Sequence, residues 1–191
     1  MIKKIRFEIQ SNSLSEMAHL EFFKNDEALK VDLNAKTLTL KSGDVINISA
    51  TASNVYGGGW EPIQCFSAAG SPAHDYECWA SSSYGKNWLE LEFTPALPRN
   101  FANKLTFCCG EDHGSFPGTY TLFFIDENGN REQIGEPLSV NAYNGIFEWV
   151  SIIRCIRGKD GNYYFLRPKD KVVPPAPDGG TIWSMYGYIN F

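Results

Sequence analysis

The sequence predicts an all-β chain built as a sandwich or barrel, and three observations carry that prediction. First, Trp88-Leu89-Glu90-Leu91-Glu92-Phe93 alternates strictly. Leu89, Leu91 and Phe93 point one way and Trp88, Glu90 and Glu92 the other, so this is a half-buried strand with one wet side. Second, turn-forming residues recur about every ten residues between short β-branched or aromatic runs, which is the rhythm of sandwiches and barrels. Third, hairpin signals stand between such runs: Asn128-Gly129 within Asp126–Asn130, and Gly158–Asn162 ahead of Tyr163–Leu166.

Taken in order, Met1 to Gln10 reads as a strand, with Ile5, Phe7 and Ile9 against Lys4, Arg6 and Glu8. Ser11-Asn12-Ser13 turns the chain. Leu14 to Phe23 reads as a short helix running into a strand: Ser15 caps it, Met17 and Leu20 face inward, and Phe22 or Phe23 closes it. Asp26-Glu27 begins a polar edge. Ala28 to Leu33 and Lys36 to Leu40 are two further strands, Lys41–Asp44 is a turn, and Val45, Ile46 and Ile48 continue in β-branched style.

Ala50–Ser53 leads into Asn54-Val55-Tyr56-Gly57-Gly58-Gly59-Trp60, where three consecutive glycines favour a loop over any regular element. Ser81–Asn87 is turn chemistry between Trp79 and Trp88, and both rings are expected to cap the ends of the core. Asn103 to Cys109 is a strand with Leu105, Phe107 and Cys109 on one face. Gly110–Gly118 is a long polar loop, Thr119 to Ile125 a strand, and Phe147 to Ile156 a further apolar strand. Val172–Gly180 is a Pro/Gly linker of extended type, and Thr181–Phe191 is an aromatic tail. The expected division is a main domain over 1–150 and an appended hairpin, linker and tail over 151–191. The main domain should consist of two antiparallel sheets closing over Leu89, Leu91, Phe93, Leu105, Phe107 and Leu122.

The 191 residues are 43% hydrophobic and 20% charged, enough to bury a core and too few charges for wholesale disorder. A net charge of −5 argues against a phosphate-backbone binder, which needs a dense cationic face. The local run Arg154, Arg157, Lys159, Arg167, Lys169 and Lys171 reads as a solvated hairpin. No apolar run approaches the ~20 residues that span a bilayer. The N-terminus is basic without an apolar stretch or small-residue cleavage site, so the expectation is no signal peptide and synthesis in the cytoplasm. The odd set Cys65, Cys78, Cys108, Cys109 and Cys155 then favours buried thiols over a disulfide framework, with Cys65–Cys78 the pair to test. Cys108 and Cys109 fall on opposite faces of their strand.

The order Ala50-Thr51-Ala52-Ser53, Trp60-Glu61-Pro62-Ile63-Gln64-Cys65-Phe66, Trp79-Ala80-Ser81-Ser82 and Trp88-Leu89-Glu90-Leu91 resembles the discoidin (coagulation-factor C-type) family. That family's pattern runs "ATAS", a loop, "AFDG", "WASS" and "WLEVDLG". Gly114-Ser115-Phe116-Pro117 with Tyr120-Thr121-Leu122 is similar to its "FPKDYTLEYSDDG" region. Ile5–Ile9 followed by Ser15–Phe22 looks like its closing "YVRIVV…LAEIEVYG", here placed first. The resemblance covers roughly Ile2 to Trp149. It implies a circularly permuted, galactose-binding-like jelly-roll β-sandwich, an arrangement similar to modules of bacteriophage tail and fibre proteins. The family's calcium site uses an Asp in "AFDG" and a Glu in "LAEIE". Here those positions are Ser67 and His19, and a hard cation wants carboxylates, so the expectation is no cofactor, with a calcium ion held by Glu21 and backbone oxygens as the remaining alternative.

The resemblance also implies that ligands meet the loops at one end of the sandwich. Those loops carry Tyr56, Trp60, Tyr84, His113, Phe116, Tyr143 and Asn144. Aromatic faces pack against the apolar C–H faces of sugars while amides and imidazoles meet hydroxyls. Two readings stand beside each other: a glycan site, or rings that tuck under the glycine loop (Trp60) and plug the sandwich end (Phe116). Acidic–His clusters at His74, Asp75 and Glu77 and at Glu111, Asp112 and His113 suit acid–base chemistry in principle. Neither lies in a catalytic motif, and there is no GxSxG, HExxH, P-loop or CxxC. The chain is therefore read as a non-enzyme, with a hydrolase on the Glu111–His113 loop as the remote alternative. The tail, with Trp183, Met185, Tyr186, Tyr188 and Phe191, is too aromatic for a free end and is read as an assembly segment. The expected setting is a virion, as a phage-tail accessory that adheres to host-surface glycan or serves purely in tail assembly. Its partners would be other tail proteins or copies of itself, with neither nucleic acid nor membrane insertion.

Overall fold

The alternation at Trp88–Phe93 lies in the middle of the longest strand, Gly85–Leu97, and the rest of the main sheet is assembled around it. The computed structural model describes residues 1–67, 78–108, 118–140, 145–148, 154–157 and 163–166. The chain divides into two units, Met1–Trp149 and Val150–Phe191. In the first unit the strands are β1 (Ile2–Ser11), β2 (Glu16–Lys24), β3 (Glu27–Ala28), β4 (Lys30–Asp32), β5 (Thr37–Thr39), β6 (Val45–Ala52), β7 (Trp79–Ala80), β8 (Gly85–Leu97), β9 (Lys104–Cys108), β10 (Gly118–Ile125), β11 (Arg131–Val140) and β12 (Gly145–Glu148). Among the described residues a 3-10 turn, Pro62–Phe66, interrupts them.

One sheet has seven strands in the order β11-β10-β1-β8-β6-β5-β4. The other runs β12-β9-β2-β3, with β7 also paired to β2. Every pairing is antiparallel. The inward side chains of β1 (Ile5, Phe7, Ile9), β8 (Leu89, Leu91, Phe93) and β10 (Tyr120, Leu122, Phe124) meet Met17, Leu20 and Phe22 of β2 and Leu105 and Phe107 of β9 in one buried cluster. Rings bridge the sheets off-parallel, as their quadrupoles prefer: Phe7–Phe107 at 5.9 Å, Phe107–Tyr120 at 4.8 Å and Phe22–Phe93 at 6.3 Å between centroids. The Tyr120 hydroxyl donates to the Glu16 carbonyl at 3.1 Å, which gives the buried phenol its partner. All six residues expected to close the core are buried. The architecture is all-β and sandwich-like.

Four expectations need correction. Leu14–Phe23 forms no helix; it leads into β2. Met17 and Leu20 do both face inward, but their spacing of three comes from an irregularity in the pairing with β9 between Ala18 and Glu21, where His19 takes φ 49°. One extra residue in a strand shifts the inward parity by one, and that imitates a helical period. Ala28–Leu33 is two pieces: β3 pairs with β2 in one sheet and β4 with β5 in the other. The buried Leu29 sits at the crossing, its N–H bonded to the Phe22 carbonyl at 2.7 Å. The described pieces of Phe147–Ile156 likewise belong to different sheets: β12 pairs with β9, while Arg154–Arg157 (β13) pairs with Tyr163–Leu166 (β14) in the second unit. Of the two tryptophans, Trp79 is fully buried, whereas Trp88 stands on the outer face beneath Arg6. β11, the strand that the Asn-Gly hairpin implies, is a sheet edge, largely exposed, with Gly135 at φ 69° and Pro137 within it, features that an edge strand accommodates.

The Asn-Gly hairpin between β10 and β11 forms as expected. Gly129 takes φ 83°, and the Asp126 carboxylate accepts from the Asn128 and Asn130 N–H groups at 2.8 Å. In the second unit β13 and β14 make the expected antiparallel hairpin. The linker Val172–Gly180 and the assembly residues Trp183, Met185, Tyr186, Tyr188 and Phe191 lie outside the described residues.

Candidate functional site

One end of the sandwich gathers the loops that the sequence marks for binding. Ser11 at the end of β1 is opposite both Gly85, where β8 begins, and Gly118, where β10 begins; Gly118 is in turn opposite Val140, where β11 ends. At this end β6 leaves the sheet beside Leu89 of β8. The chain then runs through Ser53–Trp60 into the Pro62–Phe66 turn, which sends Cys65 and Phe66 into the core. Phe66 meets Phe22 there at 6.1 Å.

A polar cluster ties the loop after β6 to the loop before β8. Asn54 is its hub. Its side-chain N–H₂ donates to Ser83 Oγ and Asn87 Oδ1, each at 2.9 Å, and its Oδ1 accepts from the Ser82 N–H at 2.6 Å. The Asn54 carbonyl accepts from Trp79 Nε1 at 3.2 Å, so the buried indole anchors the loop from below. Asn87, only 3% exposed, donates to Ser15 Oγ at 3.2 Å and to the Ser83 carbonyl at 2.8 Å. Its Oδ1 accepts from Ser53 Oγ and Ser83 Oγ, each at 3.1 Å. Backbone bonds complete the clasp: Ser53 N–H to the Trp88 carbonyl at 2.9 Å, Tyr56 N–H to Ala80 at 2.9 Å and Ser81 N–H to Ser15 at 2.8 Å. At the base of the clasp Ser15, Ser81 and Asn87 are buried and partnered, so a rearrangement there strands a polar group, while Ser53 and Asn54 are half-buried and Ser82 and Ser83 lie at the surface.

This clasp carries aromatic rings into solvent. Tyr56 is 59% exposed and Tyr84 is 70% exposed. Trp60 is half-buried and meets the Tyr56 ring edge-on, with centroids 5.9 Å apart and planes at 74°. Trp60 thus leans on Tyr56 across the glycine loop. Between them Gly59 takes φ 94°, and Gly57 and Gly58 border open space. Of the residues expected at this site, the structure therefore places Tyr56, Trp60 and Tyr84 on two loops fastened to each other. His113, Phe116, Tyr143 and Asn144 lie outside the described residues, as do Glu111 and Asp112. Asn54, Asn87, Ser15 and Ser83 were not anticipated. One signal for Asn87 was present in the sequence: it shares the inward parity of Leu89, Leu91 and Phe93.

The two positions that the resemblance maps to calcium are neighbours, the His19 N–H donating to the Ser67 carbonyl at 3.1 Å. Neither brings a carboxylate. Among the described residues no three His, Cys, Asp or Glu side chains are grouped to hold a metal ion. Cys65 and Cys78 are buried thiols. Burial pushes the Cys65 thiol well above its ordinary value, which suits packing and not nucleophilic attack. On the outer face of the large sheet, burial would raise the Glu90 carboxyl, but hydrogen bonds from Lys4 (2.8 Å) and Arg6 (3.2 Å) outweigh it and hold Glu90 below the ordinary carboxylate value.

Compared with known proteins, the chain matches no family model, no curated protein and no solved structure.

Proposed function

We propose that this chain is a non-enzymatic binding module that grips a glycan at the loop end of its sandwich. The observation that carries the reading is the clasp around Asn54 and Asn87, which fixes two loops while their tyrosines stay in water. Leaving large rings exposed forgoes burial, and exposed aromatic surface on a rigid frame is how proteins present contact area at low entropic cost. The chemistry suits sugars: ring faces for C–H surfaces, with the exposed Ser82 and Ser83 hydroxyl oxygens close by for hydroxyl groups. The adjacency of His19 and Ser67 and the buried Trp79 agree with a permuted discoidin-like jelly roll. That resemblance also supplies the setting, adhesion by an accessory protein of a phage tail or fibre.

The test is a glycan array probed with the full chain and with Tyr56→Ala, Trp60→Ala and Tyr84→Ala variants. The expected result is binding to a restricted set of glycans that Tyr56→Ala and Trp60→Ala abolish without a change in thermal unfolding. Binding that survives in all three variants refutes the loop-end site. A chain that binds no glycan yet still joins a tail assembly would instead be a structural component.

A further inference from the structure

The outer face of the seven-stranded sheet holds a second built feature, away from the loop tyrosines. Its side chains come in register rows. Gln10 is opposite Lys86 and Thr119, Glu8 opposite Trp88 and Thr121, and Arg6 opposite Glu90 and Phe123. The first two rows line an open groove of about 350 Å³ across β10, β1 and β8, at the lower end of the ~300–1,000 Å³ of small-ligand sites.

Trp88 is its aromatic wall. The Arg6 guanidinium lies 4.3 Å from the Trp88 ring centroid and comes from the row on the far side of Trp88 from Gln10 and Lys86. Arg6 is itself fixed, 3.2 Å from Glu90 and 3.4 Å from Glu8, and Glu8 is held by Arg131 at 2.7 Å. The indole is thus braced from one side, and on the other it borders the groove. A preset ring needs little ordering when a ligand arrives.

The rim decides what the groove takes. Glu8 offers acceptors, Lys86 donors, and Gln10, Thr119 and Thr121 offer both. One acid and one base leave it near neutral, which disfavours a polyanion. A single aromatic wall among polar groups is too little apolar surface for a hydrophobic peptide. Mixed donors and acceptors around one ring match the hydroxyls and C–H face of a pyranose. We propose that this groove is a glycan subsite of its own, taking a short, uncharged hexose chain laid across β10, β1 and β8 against Trp88. Of its lining residues Asn87 also belongs to the loop end, but the Asn87 side chain is buried on the inward face, and the exposed rim of Gln10, Lys86, Trp88, Thr119 and Thr121 is separate from the loop tyrosines.

The experiment titrates the ¹⁵N-labelled full chain with the neutral hexasaccharides of glucose, mannose and galactose. It reads the Trp88 indole N–H signal, assigned with Trp88→Phe. At least one hexasaccharide should move that signal saturably. The double variant Gln10→Ala/Lys86→Ala alters only exposed positions and so keeps the fold. It should bind at least tenfold more weakly, as loss of two polar contacts implies at about tenfold per 1.4 kcal/mol. Tyr56→Ala should leave the Trp88 response as it was. No movement of the Trp88 signal with any of the sugars overturns the proposal. So does an undiminished response in the double variant, or a response that vanishes with Tyr56→Ala, which would assign the sugar to the loop end.

Discussion

Replacing Asn87 by Ala tests whether the clasp is what holds the binding end in shape. The Asn87 amide makes five hydrogen bonds: two donated, to Ser15 Oγ and the Ser83 carbonyl, and three accepted, from Ser53, Asn54 and Ser83. A typical bond of this kind contributes about 1 kcal/mol net, and a buried group left unpaired costs about 1–3 kcal/mol. The hydroxyls of Ser53 and Ser83 can rotate to water or to Asn54. Ser15 cannot, because it is fully buried. The expected loss is therefore about 2–4 kcal/mol rather than five full bonds. For a chain of this size that lowers Tm by roughly 5–15 °C. Circular dichroism measures the unfolding, and native-state hydrogen exchange should show faster exchange at the Ser53, Tyr56 and Ser81 amides. Glycan affinity at the loop end should fall although every exposed ring is still present. A change in Tm under about 2 °C with those amides still protected would refute the argument. Asn87→Asp sharpens it. Its second oxygen would face the Ser83 carbonyl at the 2.8 Å now bridged by a donor, so folding would favour the protonated acid and the variant should gain stability as pH falls.

Two further outcomes follow from the core and the outer face. Phe22 packs against Phe66, Phe93 and Phe101 at 5.2–6.3 Å, so Phe22→Ala should cost about 3–5 kcal/mol in chemical denaturation; a loss under 2 kcal/mol would mean these rings do not close the core. Glu90 is held below its ordinary value by Lys4 and Arg6, so its contribution is present above the unfolded carboxylate range and is lost as pH falls through the lower folded value. Glu90→Gln should flatten stability between about pH 5 and pH 3 relative to the parent, and identical pH profiles would remove Glu90 as a source of acid sensitivity.

Period-two alternation made most of the fold legible. β1, β8 and β10 each bury one parity and show the other to solvent, so Ile5, Phe7, Leu89, Leu91 and Leu122 could be assigned to the core directly. The reading failed where a local irregularity reset the parity. At β2 the residue inserted near His19 turned a strand pattern into an apparent helix. At β11 Ile134 and Leu138 pack against the core but stay only half-buried, and the exposed Gly135-Glu136-Pro137 between them left no clean alternation. Leu29 was hidden because the chain changes sheets there, a property of pairing between distant segments.

The site was legible in its rings and not in its supports. Tyr56, Trp60 and Tyr84 announce themselves as large side chains in turn sequence, but what fixes them is a set of Asn and Ser residues spread from Ser15 to Asn87. Such residues are common in any turn. Only the pairing of β2 with β7, and of β6 with β8, brings them into one cluster, with Ser15 and Asn87 buried at its base. The exception is instructive: Asn87 occupies an inward position on β8, and a polar amide among Leu89, Leu91 and Phe93 is costly unless every bond is met. The same strand then turns its other face, Lys86 and Trp88, to the outer groove. β8 thus anchors the loop end with one parity and walls the outer groove with the other. Asn87→Ala should therefore loosen the loop end and leave the Trp88 response to hexasaccharides standing.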